Sequence, residues 1–404
     1  MDKKTLQDID VDRKRVLVRV DFNVPLNDKR EVVDDERIKA ALPTIKYLLE
    51  HKARIILISH LGRPKDAPDD SLRMNPVAKR LEGLLKKKVI KLDECIGDNV
   101  KKAVDSMDNG NEVILLENVR FNPEEKKNDP AFAKKLAELA DVFVNDAFGT
   151  AHRAHASTVG VTNYLPSVGG FLLEKEVNAL TALIENPTKP FIAILGGNKI
   201  SDKLGVIHSF LEIVDGILIG GGMCFTFLKS QGMEIGDSIF EEDQLEAATE
   251  ILCKTEQEGI PLYLPDDFVV ADSFSPDANI KIVAADDIEP GWRGLDIGPE
   301  TIMLYKEIIE EAKTIFWNGP MGVFEWDNFQ KGTKSIAEAL AISPALTIVG
   351  GGDSDAALKK YGVMGQIDHV STGGGASMKV LEGKNLPGVD ALLDKEQIAV
   401  KMEE

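Results

Sequence analysis

Cysteine is scarce in this chain: three in 404 residues (Cys95, Cys224 and Cys253), widely spaced and with no CxxC pair. That excludes a disulfide-stapled scaffold and a cysteine-ligated zinc site, and it fits reduced thiols in a cytosolic protein. No apolar run reaches the ~18 residues of a membrane-spanning helix, and the opening MDKKTLQDID has no apolar export core, so a cytoplasmic location is expected. An excess of positive charge is also missing. The formal net charge of -19 argues against general nucleic-acid binding. Heptads, low-complexity tracts and short repeats are absent as well. What remains is an ordinary globular composition, 43% hydrophobic and 28% charged, long enough for two or three domains.

The scarce residues are unevenly placed. Eleven of twelve arginines precede residue 181, leaving only Arg293 after it, whereas 26 of 34 glycines follow residue 180. Residues 1–180 carry 31 Lys+Arg against 30 Asp+Glu, so the second half holds all of the net negative charge. Arginine recognises phosphate and carboxylate through a planar fork. Glycine lets backbone N–H groups approach a phosphate chain. The asymmetry points to one half for a small anion and the other for a nucleotide, although two unrelated domains of different composition would give the same counts.

Short β-branched runs alternate with helical spacing throughout. Strands are expected at Arg15–Val20, Arg54–Ser59, Val113–Glu117 and Val142–Asn145. They are expected again at Phe191–Leu195, Gly216–Ile219, Pro261–Leu264, Thr314–Trp317 and Ala345–Val349. Helices are expected between them, among others at Arg37–Leu49, Pro130–Ala140 and Asp202–Ile213. This alternation predicts an α/β fold of two doubly wound, Rossmann-like parallel sheets, covered on both faces. The amphipathic stretch Phe171–Glu185, where the charge balance changes, reads as the connecting helix. The expected division is 1–172, a connecting helix over 173–187, and 188–387, with a tail over 388–404.

Ligands of open parallel sheets bind beyond the carboxyl ends of the strands. In the first half those ends read RVDFNVP with Asp21 and Asn23, SHLGRP with His60 and Arg63, ENVRF with Arg120, and NDAFGTAHRAHAST with Asp146, His152, Arg153 and His155. Any one could be a turn, but four together deliver mostly cationic groups to one edge. In the second half the strand ends are glycines: GGNKISDK, GGGM, NGPMGVFE and GGGDSDAA, with STGGGAS further on. None matches GxxxxGK(S/T), which excludes a P-loop, and none matches GxGxxG with its acidic ribose ligand. Lys199 and Lys203 stand four apart, expected on one face of a starting helix, where an anion would relieve their repulsion. Asp353, after three glycines, is either a helix N-cap or a Mg2+ ligand.

Eight of these motifs, all but GGGM, closely resemble in this order the phosphoglycerate kinase family, and the compact first half resembles its bacterial branch. The resemblance implies two α/β domains joined by a helix, with the carboxyl-terminal tail returning to the first. It implies reversible phosphoryl transfer between ATP and the carboxylate of 3-phosphoglycerate in a glycolytic enzyme; exclusion of water then requires hinge closure, and with no exposed apolar stripe legible a monomer is expected. It implies that Asp21, Asn23, Arg37, His60, Arg63, Arg120, Arg153 and His155 hold the phosphoglycerate. Gly196, Lys203, Gly220, Gly294, Asn318, Gly319, Glu325, Gly352, Asp353 and Ser354 would surround the nucleotide, with Asp353 holding Mg2+. Arg37, Lys199 and the helix start at Gly373–Gly375 would receive the phosphoryl group in flight, which makes Arg37, Lys199 and Gly375 the implied catalytic set. Asn198, where the family usually has alanine, and Met378-Lys379-Val380 depart from its pattern.

The chemistry agrees with that implication. A carboxylate acceptor is already ionised at pH 7, so no general base is needed, and none of the usual base signatures is present. Phosphoryl transfer is largely positioning and electrostatics. Two other readings remain: a kinase for a different small carboxylate, and a non-catalytic binding module that keeps the fold.

Overall fold

Along Arg15–Arg19 (β1), Val16 and Val18 face one apolar cluster while Leu17 faces another. The same alternation recurs in Arg54–Ile58 (β2), where Ile55 and Leu57 oppose Ile56 and Ile58. Strands that are apolar on both faces need a layer of helices on each side, which is why the sequence interleaves the two. The computed structural model describes residues 1–65 and 67–395, and within them the chain divides into two units. One comprises Met1–Asn178 and the segment from Asn385, and the other Ala179–Lys384.

In the first unit, β1 and β2 join Lys88–Lys91 (β3), Glu112–Leu115 (β4), Val142–Asn145 (β5) and Ser167–Gly169 (β6) in one sheet of order β3-β4-β2-β1-β5-β6. Every pairing is parallel. The order reverses between β1 and β5, so the crevice at their carboxyl ends is where a ligand is expected. Strands β3 and β6 were not expected: each is an edge strand, and β3 is a partly exposed KVIK without a continuous apolar run.

The second unit holds a sheet of order β15-β14-β13-β7-β8-β9. Its strands are Phe191–Leu195 (β7), Gly216–Ile219 (β8), Leu262–Tyr263 (β9), Thr314–Asn318 (β13), Leu346–Gly350 (β14) and His369–Val370 (β15). Its pairings are parallel too, and the reversal falls between β7 and β13. A separate antiparallel sheet of order β11-β10-β12 stands beside it in the same unit: Asp267–Ala271 (β10), Ile280–Ala284 (β11) and Arg293–Ile297 (β12). The expectation of pure α/β alternation missed this sheet. Its signal was period two, since IKIVA alternates exposed and half-buried along β11.

Helix Phe171–Glu185 forms as expected, and the boundary between the units falls within it. Its first turn is capped by the residue that follows β5: Asp146 Oδ1 accepts the N–H groups of Leu172 at 2.8 Å and Leu173 at 3.2 Å. The returning segment pairs into the first unit, with Leu393 N–H donating to Ser167 O at 3.0 Å and Asn145 Nδ2 donating to Gly388 O at 2.8 Å. Residues 396–404 of the expected tail lie outside the described residues. Among the described residues no helix is long and apolar enough to cross a membrane.

Candidate functional site

The first unit gathers its cations at the β1 and β5 crevice. Asp21, buried just beyond β1, accepts from Arg37 Nη1 at 3.1 Å, and Arg37 also donates to Asn23 O at 3.3 Å. Asn23 Oδ1 accepts Gly62 N–H at 2.8 Å while Arg120 Nη1 donates to Gly62 O at 2.8 Å. The two residues thus grip the SHLGRP loop from both sides, and Arg63 stands exposed on it. His60 is buried against Arg19, whose Nη2 lies 3.2 Å from His60 Nδ1. Arg153, exposed, donates to His152 Nε2 at 3.0 Å.

The electrostatics show that these groups share one field. Burial, then Arg19, Arg120, Arg37 and Arg153, pushes His60 well below the ordinary imidazole value. Burial and the same arginines, Arg37 excepted, lower His155 to about 4. Burial and its cationic neighbours lower Arg120 to about 10. Neighbours that push one another's protons away mark a site with more positive charge than its own carboxylates offset. Such a cluster favours an anion. Three members escaped the sequence reading. Arg19, fully buried in β1, read as a strand residue; its Nε donates to Ser157 Oγ at 2.9 Å, and Ser157 Oγ donates to the buried Glu125 at 2.6 Å. Asp146, placed with the anion loop by sequence, instead caps the connecting helix.

The second unit builds its site from turns. Gly319 has φ +99°, and a Cβ there would stand 2.3 Å from Gly196 O, so neither the conformation nor the space admits a side chain. Ser354 Oγ accepts Gly319 N–H at 2.7 Å, and a Cβ on Gly220 would meet Met321 Sδ at 2.4 Å. Asn318, at the end of β13, donates to Gly350 O at 2.6 Å and accepts from the Lys203 ammonium. Burial lowers Lys203, offset in part by Asp202 and Asp353.

One expectation is corrected here and one open alternative is closed. The helix after β7 begins only at Leu204, because Ile200 O takes the N–H groups of Lys203 and Leu204 in a preceding turn. Lys199 therefore lies in the loop, exposed, and shares no helix face with the inward-turned Lys203. Asp353 does not cap its helix: Gly351, at φ +99°, occupies that position, and Asp353 is exposed in the first turn beside Gly352. Gly375 is likewise exposed in the first turn of Gly374–Leu381.

A cavity of about 580 Å³ opens between the glycine turns and the antiparallel sheet. Gly294, Glu325 and Asp353 of the expected set line it, as does Asn198. Its apolar wall, which includes Phe225, Phe268 and Trp326, comes from segments that sequence motifs did not flag. Among the described residues no group of three His, Cys, Asp or Glu could hold a metal by itself.

A doubly wound chain with an anion-hungry arginine cluster at one switch point and a nucleoside-sized, glycine-edged cavity at the other is built to handle two small ligands, one of them strongly anionic. Residues 6–384 match the family described as phosphoglycerate kinase. A phosphoglycerate kinase of Moorella thermoacetica is 55% identical over 395 residues, covering 98% of this chain and all of the relative. One from Synechococcus elongatus is 55% identical over 401 residues, with the same coverage. Among solved structures, the phosphoglycerate kinase of Coxiella burnetii has a TM-score of 0.86 at 41% identity, covering 96% of this chain and 98% of that one. The Pyrococcus horikoshii enzyme has a TM-score of 0.83 at 34% identity, with equal coverage. The chain belongs to the phosphoglycerate kinase family.

Proposed function

We propose that this chain is a kinase that moves a phosphoryl group reversibly between ATP and the carboxylate of 3-phosphoglycerate, with the acid bound by the first unit and the nucleotide by the second. Family membership supports the reaction. The observation that carries the division of labour is the arginine cluster of the first unit, where burial and arginines hold His60 and His155 below their ordinary value. A doubly charged phosphate is the ligand that such a cluster stabilises best.

In this reading Asp21, Asn23 and Arg37 orient the glycerate end, while His60, Arg63, Arg120, Arg153 and His155 take its charges. Lys203, anchored on Asn318, meets the nucleotide phosphates, and Glu325 receives the ribose hydroxyls. Asp353 fits a magnesium ion: it is an exposed carboxylate on the cavity wall, free of capping duty, and Mg2+ is commonly held by one carboxylate together with substrate phosphates. Bound there, the ion would neutralise phosphate charge. Lys199 and the first N–H groups of Gly374–Leu381 are the exposed donors left for the phosphoryl group in flight. Water must be excluded while transfer occurs, so turnover includes a hinged closure of the two half-sites. We place the protein in the cytoplasm as a monomer, a location supported by the three unpaired cysteines.

Steady-state assay with Mg2+ and ATP tests the reading, offering 3-phosphoglycerate, acetate and aspartate in turn. Turnover on 3-phosphoglycerate alone is expected. Turnover on either of the others without it would transfer the chain to a different carboxylate.

A further inference from the structure

The nucleotide site leaves one polar pair without a task. Arg293, the lone arginine of the second half, opens β12 on the cavity wall, and Asp237 lines the same wall. One main-chain bond and one to a serine hydroxyl hold them abreast: Asp237 N–H donates to Trp292 O at 2.8 Å, and Gly294 N–H donates to Ser238 Oγ at 2.9 Å. Arg293 Nη2 lies 3.8 Å from Asp237 Oδ2, close enough to attract and too far to hydrogen bond. Arg293 Nε is buried without an acceptor, and Asp237 gives one oxygen to Gly291 N–H at 3.2 Å. The pair therefore keeps donors and an acceptor that the fold does not use.

The wall around it is flat and apolar. A Cβ on Gly294 would stand 2.2 Å from Phe225 Cζ, so glycine there lets the ring lie against the strand, and Ile239 and Phe268 complete the slot. An apolar slot with a polar pair at its edge suits a heterocycle. The phosphates belong with the glycine turns at Gly197 and Gly221.

We propose that Arg293 and Asp237 read the edge of the purine, and that they make this pocket take guanine nucleotides at least as well as adenine nucleotides. The inference rests on the nucleotide reading above. Guanine offers O6 and N7 as paired acceptors to a guanidinium fork. It offers N1–H and N2–H2 as donors to a carboxylate. O6 and N1 sit on neighbouring ring atoms, so the groups that serve them must stand side by side, as these two do. Adenine replaces the O6 acceptor with an amino donor, and the fork then loses one of its two bonds.

The test compares kcat/KM for MgATP, MgGTP and MgITP with 3-phosphoglycerate, together with calorimetric binding of MgADP and MgGDP. Wild-type protein is expected to use GTP at least as well as ATP. Arg293→Ala and Arg293→Lys should each lower the GTP-to-ATP ratio about 10-fold, the lysine because it keeps the charge but loses the fork. Asp237→Asn should lower the GTP-to-ITP ratio, because hypoxanthine lacks the N2 amino group. Thermal unfolding checks that each variant folds. A wild-type preference for ATP over GTP, or a ratio unmoved in both arginine variants, overturns the inference while leaving the nucleotide site in place. Wild-type protein that binds neither nucleotide overturns both.

Discussion

Arg19 Nη2 lies 3.2 Å from His60 Nδ1, and because a guanidinium can only donate, that ring nitrogen carries the lone pair and the proton sits on Nε2. Asp21 Oδ1, 3.7 Å from the same nitrogen, is too distant to compete. The imidazole is thereby fixed as a neutral donor. Arginine fixes the tautomer, and burial together with further arginines keeps the second proton away.

The same field makes a pH signature. His155 falls to about 4, against an unfolded value near ~6.5. A depressed base weakens the fold as pH drops below ~6.5, because the unfolded chain gains protons that the folded cluster refuses. The loss from His155 reaches on the order of 2–3 kcal/mol by pH 4. It should appear as a pH-dependent difference in unfolding free energy between wild type and His155→Gln. Binding of 3-phosphoglycerate near pH 6 should take up protons, measurable by calorimetry in buffers of different ionisation enthalpy. A heat independent of buffer would separate these histidines from the anion.

Lys199 and Lys203 should fail differently when removed. Lys203 is turned inward onto Asn318, whereas Lys199 is exposed in the loop before the helix. Lys199→Ala should lose ~10³ in kcat, with either ligand's dissociation constant moving less than ~10-fold. Since the two share no helix face, no relief of repulsion is expected and stability should not rise. Lys203→Ala should instead weaken nucleotide binding. Kinetics beside calorimetry decide it, and a preserved kcat with collapsed affinity in Lys199→Ala would reverse the two roles.

Asp353→Ala should abolish Mg2+-dependent turnover and leave the melting temperature nearly unchanged. Gly351 is the N-cap, so the change removes no capping bond, and an exposed substitution shifts stability by ~0.5 kcal/mol or less. A drop of ~1 kcal/mol or more would restore a structural role for this carboxylate.

Asp146 predicts a stability effect with its own pH sign. Burial pushes its carboxyl up to about 6. A raised carboxyl stabilises while protonated, and that contribution is lost as pH rises from ~4 through 6. Asp146→Ala should cost about 1–2 kcal/mol through the uncapped connecting helix. Asp146→Asn keeps an acceptor without the charge and should gain about 1 kcal/mol on wild type between pH 5 and pH 8. Denaturant unfolding at both pH values measures it, and equal costs for the two variants would exclude the capping role.

Much of the architecture was legible because burial on both faces leaves a plain trace. Strands β1, β2, β5, β7 and β13 are continuous apolar runs, each followed by the loop that carries a motif. Edge strands β3, β6 and β15 left none, being short and flanked by polar residues. The antiparallel sheet was hidden because its half-exposed strands dilute the apolar signal. With it went Phe268 and the setting of Arg293, although the isolation of that arginine was already visible as a count.

Sequence alone determined the alternation of strand and helix, the segregation of arginine from glycine, and the order of loops at the strand ends, because each depends on residues near one another in the chain. Tertiary structure decided the rest. It turned Lys203 inward and left Lys199 outside, gave the cap to Gly351 rather than Asp353, and assigned Asp146 to a helix rather than to an anion. It set Arg19 beneath His60, 41 residues along the chain. Which lone pair or proton a side chain presents depends on the neighbour that packing supplies, and that neighbour is specified only once distant segments meet.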